Sequence, residues 1–160
     1  MDRMKLYFDT SAIGFLDEPA NPKEMADMHS LWEKLKDEEY EIFLSMVTIQ
    51  EINDNKNKEK VRILYEYLAQ IKYTTLEFTD EVVRIADLVK KSGLLTLDKH
   101  LNDRFHIGFA IVFGMDFLIS MNFKDLANAS TNKSVQRITL SEGYGSILII
   151  PPVMMIGREV

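Results

Sequence analysis

The chain has 160 residues, 46% of them hydrophobic and 28% charged, with no cysteine and a formal net charge of −6. That balance excludes a disordered or fibrous chain, and the lack of cysteine excludes a disulfide scaffold or a thiolate metal site. An acidic chain is an unusual nucleic-acid binder, so RNA or DNA could dock only where Lys and Arg cluster or where bound cations reverse the local sign.

The opening residues, Met1-Asp2-Arg3-Met4-Lys5, run straight into a strand pattern. They lack the apolar stretch and small-residue cleavage site of a secretory leader, and no segment reaches the length of a membrane span. The expectation is a single domain over residues 1–160, in the cytoplasm and without a membrane partner.

Leu6-Tyr7-Phe8 reads as a buried strand that ends in a polar turn at Asp9-Thr10-Ser11. Pro19 and Pro22 mark a loop and then a helix start. Met25, Met28, Leu31, Trp32 and Leu35 fall at three- and four-residue spacings, the stripe of an amphipathic helix. A second strand covers Glu41 to Met46. Thr48 with Glu51 has capping-box spacing and opens a helical turn. Residues 53–60 form a polar connection, and a helical stripe follows from Val61 to Ile71.

A third strand spans Tyr73 to Phe78. Thr79-Asp80-Glu81 caps a helix from Val82 to Lys91 that stops at Gly93. A loop from Leu94 leads to an apolar helix over Asn102–Phe113, ended by Gly114. Phe117 to Ser120 is a fourth strand. Asn122 to Lys133 reads as a loop, residues 135–140 fit a short helix or a strand equally, and Ser146–Ile150 is a last strand stopped by Pro151-Pro152. Continuously apolar strands alternating with helices predict a three-layer α/β/α domain with a mostly parallel central sheet.

In such sheets ligands sit beyond the carboxyl ends of the strands. Asp9 follows the first strand directly, where it either caps a turn or serves a site. Glu51 follows the second strand by one helical turn, where it either closes a capping box or points to the same edge. Asp103 opens the apolar helix, a position the helix dipole also favours for an acid. Taken as a set, the three carboxylates face one end of the sheet. Such a cluster requires a cation or raised pKa values, and oxygen donors without Cys point to Mg²⁺ or Mn²⁺.

His106 stands three residues after Asp103 on the same helical face; a lone His beside an apolar face is more often a satisfied core group than a ligand. Asp98 reads as a loop residue, and Asp116 as fixing the turn into the fourth strand. Lys56, Lys58, Lys60 and Arg62 read as a solvated face or a contact for a phosphate backbone. His29, His100, Trp32 and the methionines carry no argument for chemistry, and the methionines and Trp32 are expected in the core.

Several segments together resemble PIN-domain proteins, in particular the toxin-type ribonucleases of toxin–antitoxin pairs. They are 6–14 around Asp9, 45–52 around Glu51, 101–110 around Asp103, 114–125 around Asn122, and the closing strand at 144–151. The resemblance spans nearly the whole chain in the right order, although each motif is short. It implies a metal-dependent endoribonuclease that uses Mg²⁺ or Mn²⁺. Asp9 and Asp103 would bind the metal, with Glu51 as a further ligand or holding a metal-bound water.

Thr10 and Ser11 would support Asp9, and His106 would hydrogen-bond near the site. The partners it implies are RNA, an antitoxin protein and a second copy in a homodimer. One departure stands out. Many relatives carry a fourth acid where this chain has Asn122, with Asp125 the nearest substitute, so a scaffold that binds RNA or a protein without catalysis is the alternative reading. An aspartyl-nucleophile phosphatase fits poorly, because Ser11 stands where a second Asp is usual.

Overall fold

The computed structural model describes residues 2–157. Met1 of the opening segment and the last three residues of the expected 1–160 domain lie outside the described residues.

Five strands form the sheet: β1 (Met4–Phe8), β2 (Tyr40–Ser45), β3 (Thr74–Leu76), β4 (Phe117–Ile119) and β5 (Leu148–Ile150). Their order is β3-β2-β1-β4-β5, and every neighbouring pair is parallel. Leu6 lies opposite Ile42 on one side and Phe117 on the other. Alternation along β1 sends Leu6 and Phe8 into one core and Tyr7 into the other, because side chains of a strand leave opposite faces.

Seven helices among the described residues cover the faces. They are α1 (Thr10–Gly14), α2 (Pro22–Leu35), α3 (Met46–Asn53), α4 (Lys58–Leu68), α5 (Asp80–Lys91), α6 (Leu101–Val112) and α7 (Ala129–Glu142). Ala12 and Ile13 of α1, Leu31 and Trp32 of α2, and Leu64 of α4 pack with Leu6 and Phe8. Val82 and Ile85 of α5, Ile107 and Phe109 of α6, and Val135 of α7 pack with Tyr7 and Leu118. This is the expected three-layer α/β/α arrangement, with the sheet parallel throughout. No helix among the described residues is long and apolar enough to cross a membrane.

Gly108 sets the approach of α6 to α5, since a Cβ there would stand 2.8 Å from the Val82 carbonyl oxygen. Asp116 ties β4 to β1: its Oδ2 accepts from the Lys5 N–H at 2.8 Å and its own N–H donates to the Lys5 carbonyl.

Local details differ from the expectation. Asp9-Thr10-Ser11 is not an open turn but the start of α1, capped by Asp9; five residues are too few to show a helical period. The cap of α3 is Ser45, not Thr48, so Thr48 and Glu51 form no capping box. The stretch read as a loop over 122–133 already turns helical at Ala129, with Asn128 as N-cap, since the buried position of its first turn is the polar Thr131 and no apolar stripe marks it. The methionines divide: Met28, Met115 and Met155 are buried, whereas Met4, Met46 and Met154 are exposed.

Candidate functional site

The strand order reverses at β1, which has β2 on one side and β4 on the other. The carboxyl ends of β1 and β4 therefore border the crevice where open parallel sheets bind ligands. Asp9 is the first residue beyond β1, and its N–H donates to the Ile119 carbonyl of β4 at 3.2 Å. Its Oδ1 accepts from the Ala12 N–H at 2.9 Å and from the Ser11 hydroxyl at 2.8 Å. The side chain is buried, with 2% of the residue exposed. Burial pushes its carboxyl above the ordinary range, against the charge of His106 and the hydrogen bonds from Ser120, Ala12 and Ser11.

Glu51 reaches the crevice because Ser45, at the end of β2, caps α3 by accepting from the Val47 and Thr48 N–H groups. Glu51 Oε1 accepts from the Thr10 hydroxyl at 2.6 Å and faces His106 Nε2 at 2.8 Å. Burial raises its carboxyl, but the hydrogen bond and charge of His106, with bonds from Thr10 and Asn102, outweigh that and hold it below the usual value. Thr10 thus supports Glu51 rather than Asp9, a correction to the expectation; Ser11 does support Asp9.

His106, in α6, connects this carboxylate to the core. An ionised Glu51 can only accept, so the Nε2 proton faces it. While the imidazole is uncharged, Nδ1 accepts from the Tyr7 hydroxyl, 2.6 Å away, and the Tyr7 oxygen accepts from the Ser45 hydroxyl at 2.6 Å. Burial pushes the Tyr7 hydroxyl well above its ordinary pKa, so it stays protonated and donating. The relay is complete: among the described residues no buried side-chain nitrogen or oxygen lacks a partner. Sequence reasoning missed Tyr7, and the signal was there, since a hydroxyl inside an otherwise apolar buried strand must find a partner.

Asp103 stands one turn before His106. Burial pushes its carboxyl up to about 6, against the pull of His106 and with the like charges of Asp9, Glu51 and Asp125 adding to the rise. All four acids therefore act on one electrostatic site. Asn122, beyond β4, turns its Nδ2 toward Asp103 Oδ2 at 3.5 Å, while its Oδ1 accepts from the Asp125 N–H. Asp125 Oδ2 lies 3.8 Å from His100 Nε2. Among the described residues no three His, Cys, Asp or Glu side chains stand close enough together to hold a metal ion. Asp9, Glu51 and Asp103 are electrostatic neighbours here rather than a closed ligand shell.

Other residues singled out from the sequence stay apart. Lys60 pairs with Glu18 at 2.8 Å, Arg62 pairs with Glu59 and Glu66 along α4, and Lys58 donates to the Asn53 carbonyl, so of this basic stretch Lys60 and Arg62 are engaged with acids. Asp98 lies in a short 3₁₀ turn over Asp98–His100.

No family model matches the chain, and no curated protein matches it. A solved structure similar to it is the crystal structure of PAE2754 from Pyrobaculum aerophilum. That match covers 86% of this chain and 96% of the other, at 18% identity and a TM-score of 0.49.

Proposed function

We propose that this chain is a metal-dependent endoribonuclease of the PIN type, acting on RNA phosphodiesters with Mg²⁺ or Mn²⁺. The observation that carries the reading is Asp9 at the end of β1, with Glu51 held beside it by Thr10 and with Asp103 near enough that both charges add to the rise that burial gives its carboxyl. Mutual repulsion among carboxylates that are buried or partly buried is the state that a divalent cation relieves. The donor chemistry fits a hard cation, since the available groups are carboxylate and amide oxygens.

Asp9 and Asp103 would hold the metal, which would supply Lewis acidity toward the phosphate and its attacking water. Glu51, kept ionised by His106 and Thr10, would take the proton from that water. Asp9, fixed by the α1 cap, would keep its carboxylate aimed at the crevice. The same reading carries an antitoxin protein and a homodimer as expected partners.

A second reading, a PIN-like scaffold that binds RNA or a protein without cutting, is favoured by Asn122: its amide occupies the place opposite Asp103 and brings no charge.

Purified protein incubated with single-stranded RNA and Mn²⁺ tests the choice. Asp9→Asn should lower the cleavage rate by more than roughly 100-fold, beyond the loss typical of a group that only orients a ligand. It should leave the fold intact, because Asn caps helices as well as Asp. Cleavage by Asp9→Asn at the wild-type rate removes the proposed site. Wild-type protein that binds Mn²⁺ and RNA but never cuts supports the scaffold.

A further inference from the structure

Beside the carboxylates lies an open groove of about 520 Å³, between the 94–97 segment and the loop that follows β4. Both walls are apolar and exposed, with Phe123 52% and Leu97 55% accessible. Neither wall is loose. Asn128 Nδ2 donates to the carbonyls of Phe123 and Lys124, both at 3.0 Å, and the Leu126 and Ala127 N–H groups close onto the Asn122 carbonyl.

Across the groove the buried Arg104 guanidinium donates to the carbonyls of Leu95 and Leu97. That clamp holds Leu95 at a φ of 51°, a left-handed conformation costly for a β-carbon residue. Two pinned loops thus hold a phenyl ring and a leucine side chain in water, where neither contributes to the core.

The groove borders the acidic site through Asp125. Phe123 is the next residue after Asn122, whose amide faces Asp103, and Asp125 both lines the groove and acts on the charge of Asp103. We propose that this groove is a nucleobase subsite: a base of single-stranded RNA, next to the phosphate held at the carboxylates, stacks on Phe123, with the exposed Lys124 meeting the backbone. This rests on the nuclease reading above. The groove volume falls in the usual range for small-molecule sites. An exposed aromatic ring beside a cation is the arrangement by which single-stranded nucleic acid is held without sequence preference. Bases in a duplex already stack on one another, so this subsite discriminates single strands from duplexes.

The test uses Asp9→Asn protein with Mg²⁺, in which RNA should stay whole, and a fluorescein-labelled oligouridine as probe. Adding Phe123→Ala should weaken binding roughly tenfold, the loss typical of one stacked base, and leave duplex RNA binding unchanged. Phe123→Trp should keep the affinity and show emission quenched by the oligouridine; the native Trp32 is buried and gives a constant background. Phe123 is exposed, so these variants should melt as the parent does.

Equal affinity for Phe123→Ala and its parent, or Phe123→Trp emission indifferent to RNA, overturns the subsite while leaving the nuclease reading in place. Equal loss for duplex and single strand overturns it too, because the groove would then be meeting backbone. Cleavage of the probe by Asp9→Asn at the wild-type rate overturns the assignment of Asp9 to the site, and no RNA binding by a folded parent overturns the subsite.

Discussion

The hydroxyl of Tyr7 stands 2.6 Å from Nδ1 of His106, a residue 99 positions further along the chain. Through this contact the hydrophobic core reaches Glu51: the Ser45 hydroxyl donates to Tyr7, Tyr7 to His106, and His106 to Glu51. The capping residue of α3 and the orientation of its carboxylate belong to one hydrogen-bonded chain. The Tyr7 ring also stacks with Phe109, so the phenol is fixed by packing before its oxygen is used.

Tyr7→Phe separates these roles. The ring keeps its packing, and the Ser45 hydroxyl and His106 Nδ1 lose their partner. Leaving buried polar groups unsatisfied costs about 1–3 kcal/mol, which urea denaturation should register. Nitrogen NMR of the His106 imidazole should lose the signature of a hydrogen-bonded Nδ1, and RNA cleavage should fall roughly 10- to 100-fold, as for other groups that orient a ligand. An unchanged imidazole spectrum with an unchanged rate removes the relay from the mechanism.

Stability of the metal-free protein should fall as pH rises from about 4 to about 6. Asp103 has its folded pKa raised from 3.8 to about 6, so across that window the folded state holds a proton that the unfolded state has released, and deprotonation favours unfolding. Asp9 is raised in the same direction, whereas Glu51 is lowered and exerts its effect only below its ordinary value. Allowing for solvent on the open side of Asp103, its part of the loss is roughly 2 kcal/mol. Urea midpoints in a chelator at about pH 5 and about pH 7 register the later part of it, and Asp103→Asn should flatten the difference. Added Mg²⁺ should stabilise more at the higher pH, where the carboxylates are ionised. A midpoint that rises between the two pH values contradicts this.

The layering and the strand-end position of Asp9 were legible in the sequence because each rests on a local pattern. The run Leu6-Tyr7-Phe8 followed by Asp9 places a carboxylate at a strand end without any knowledge of its neighbours. Partnerships were not legible, because they depend on which helix meets which strand. Thr10 adjoins Asp9 in the chain, yet the first turn of α1 aims its hydroxyl at Glu51. Ser45 outcompetes Thr48 as the cap of α3, since its extended backbone ends β2 and leaves its oxygen facing the first N–H groups of the helix. The loop clamp of Arg104 was hidden for the same reason: its partners are backbone carbonyls, which the sequence does not single out.

Gly108→Ala should destabilise the protein although Ala is the better helix former. The added methyl would meet the Val82 carbonyl oxygen at 2.8 Å, and a backbone atom in α5 cannot yield without moving the helix. Overpacking of this kind costs about 1–3 kcal/mol, against a propensity gain of about 1 kcal/mol. Thermal unfolding should show a lower midpoint, and because α6 carries Asp103 and His106, cleavage should fall with it. Gly145→Ala, with no atom within 4 Å of the new methyl, is the control and should melt as wild type. Equal midpoints for the two variants would mean that α5 and α6 are not packed this closely.

Asn122→Asp should exchange stability for metal affinity. The Asn122 Oδ1 that accepts from the Asp125 N–H has an equivalent in Asp, so the loop can keep its shape. The Nδ2 facing Asp103 would become a carboxylate oxygen, which adds a like charge to a site where Asp103 is already raised. The metal-free protein should therefore lose on the order of 1 kcal/mol, as expected when like charges meet in a partly buried site, and the loss should be greater at pH 7 than at pH 5. With Mn²⁺ present the sign reverses: one more anionic oxygen should tighten binding by roughly tenfold, read by calorimetric titration, and the melting midpoint should then exceed that of wild type. Should Asn122→Asp bind Mn²⁺ no better than wild type while losing metal-free stability, the crevice repels acids without gathering a cation, and the metal-dependent reading loses its main support.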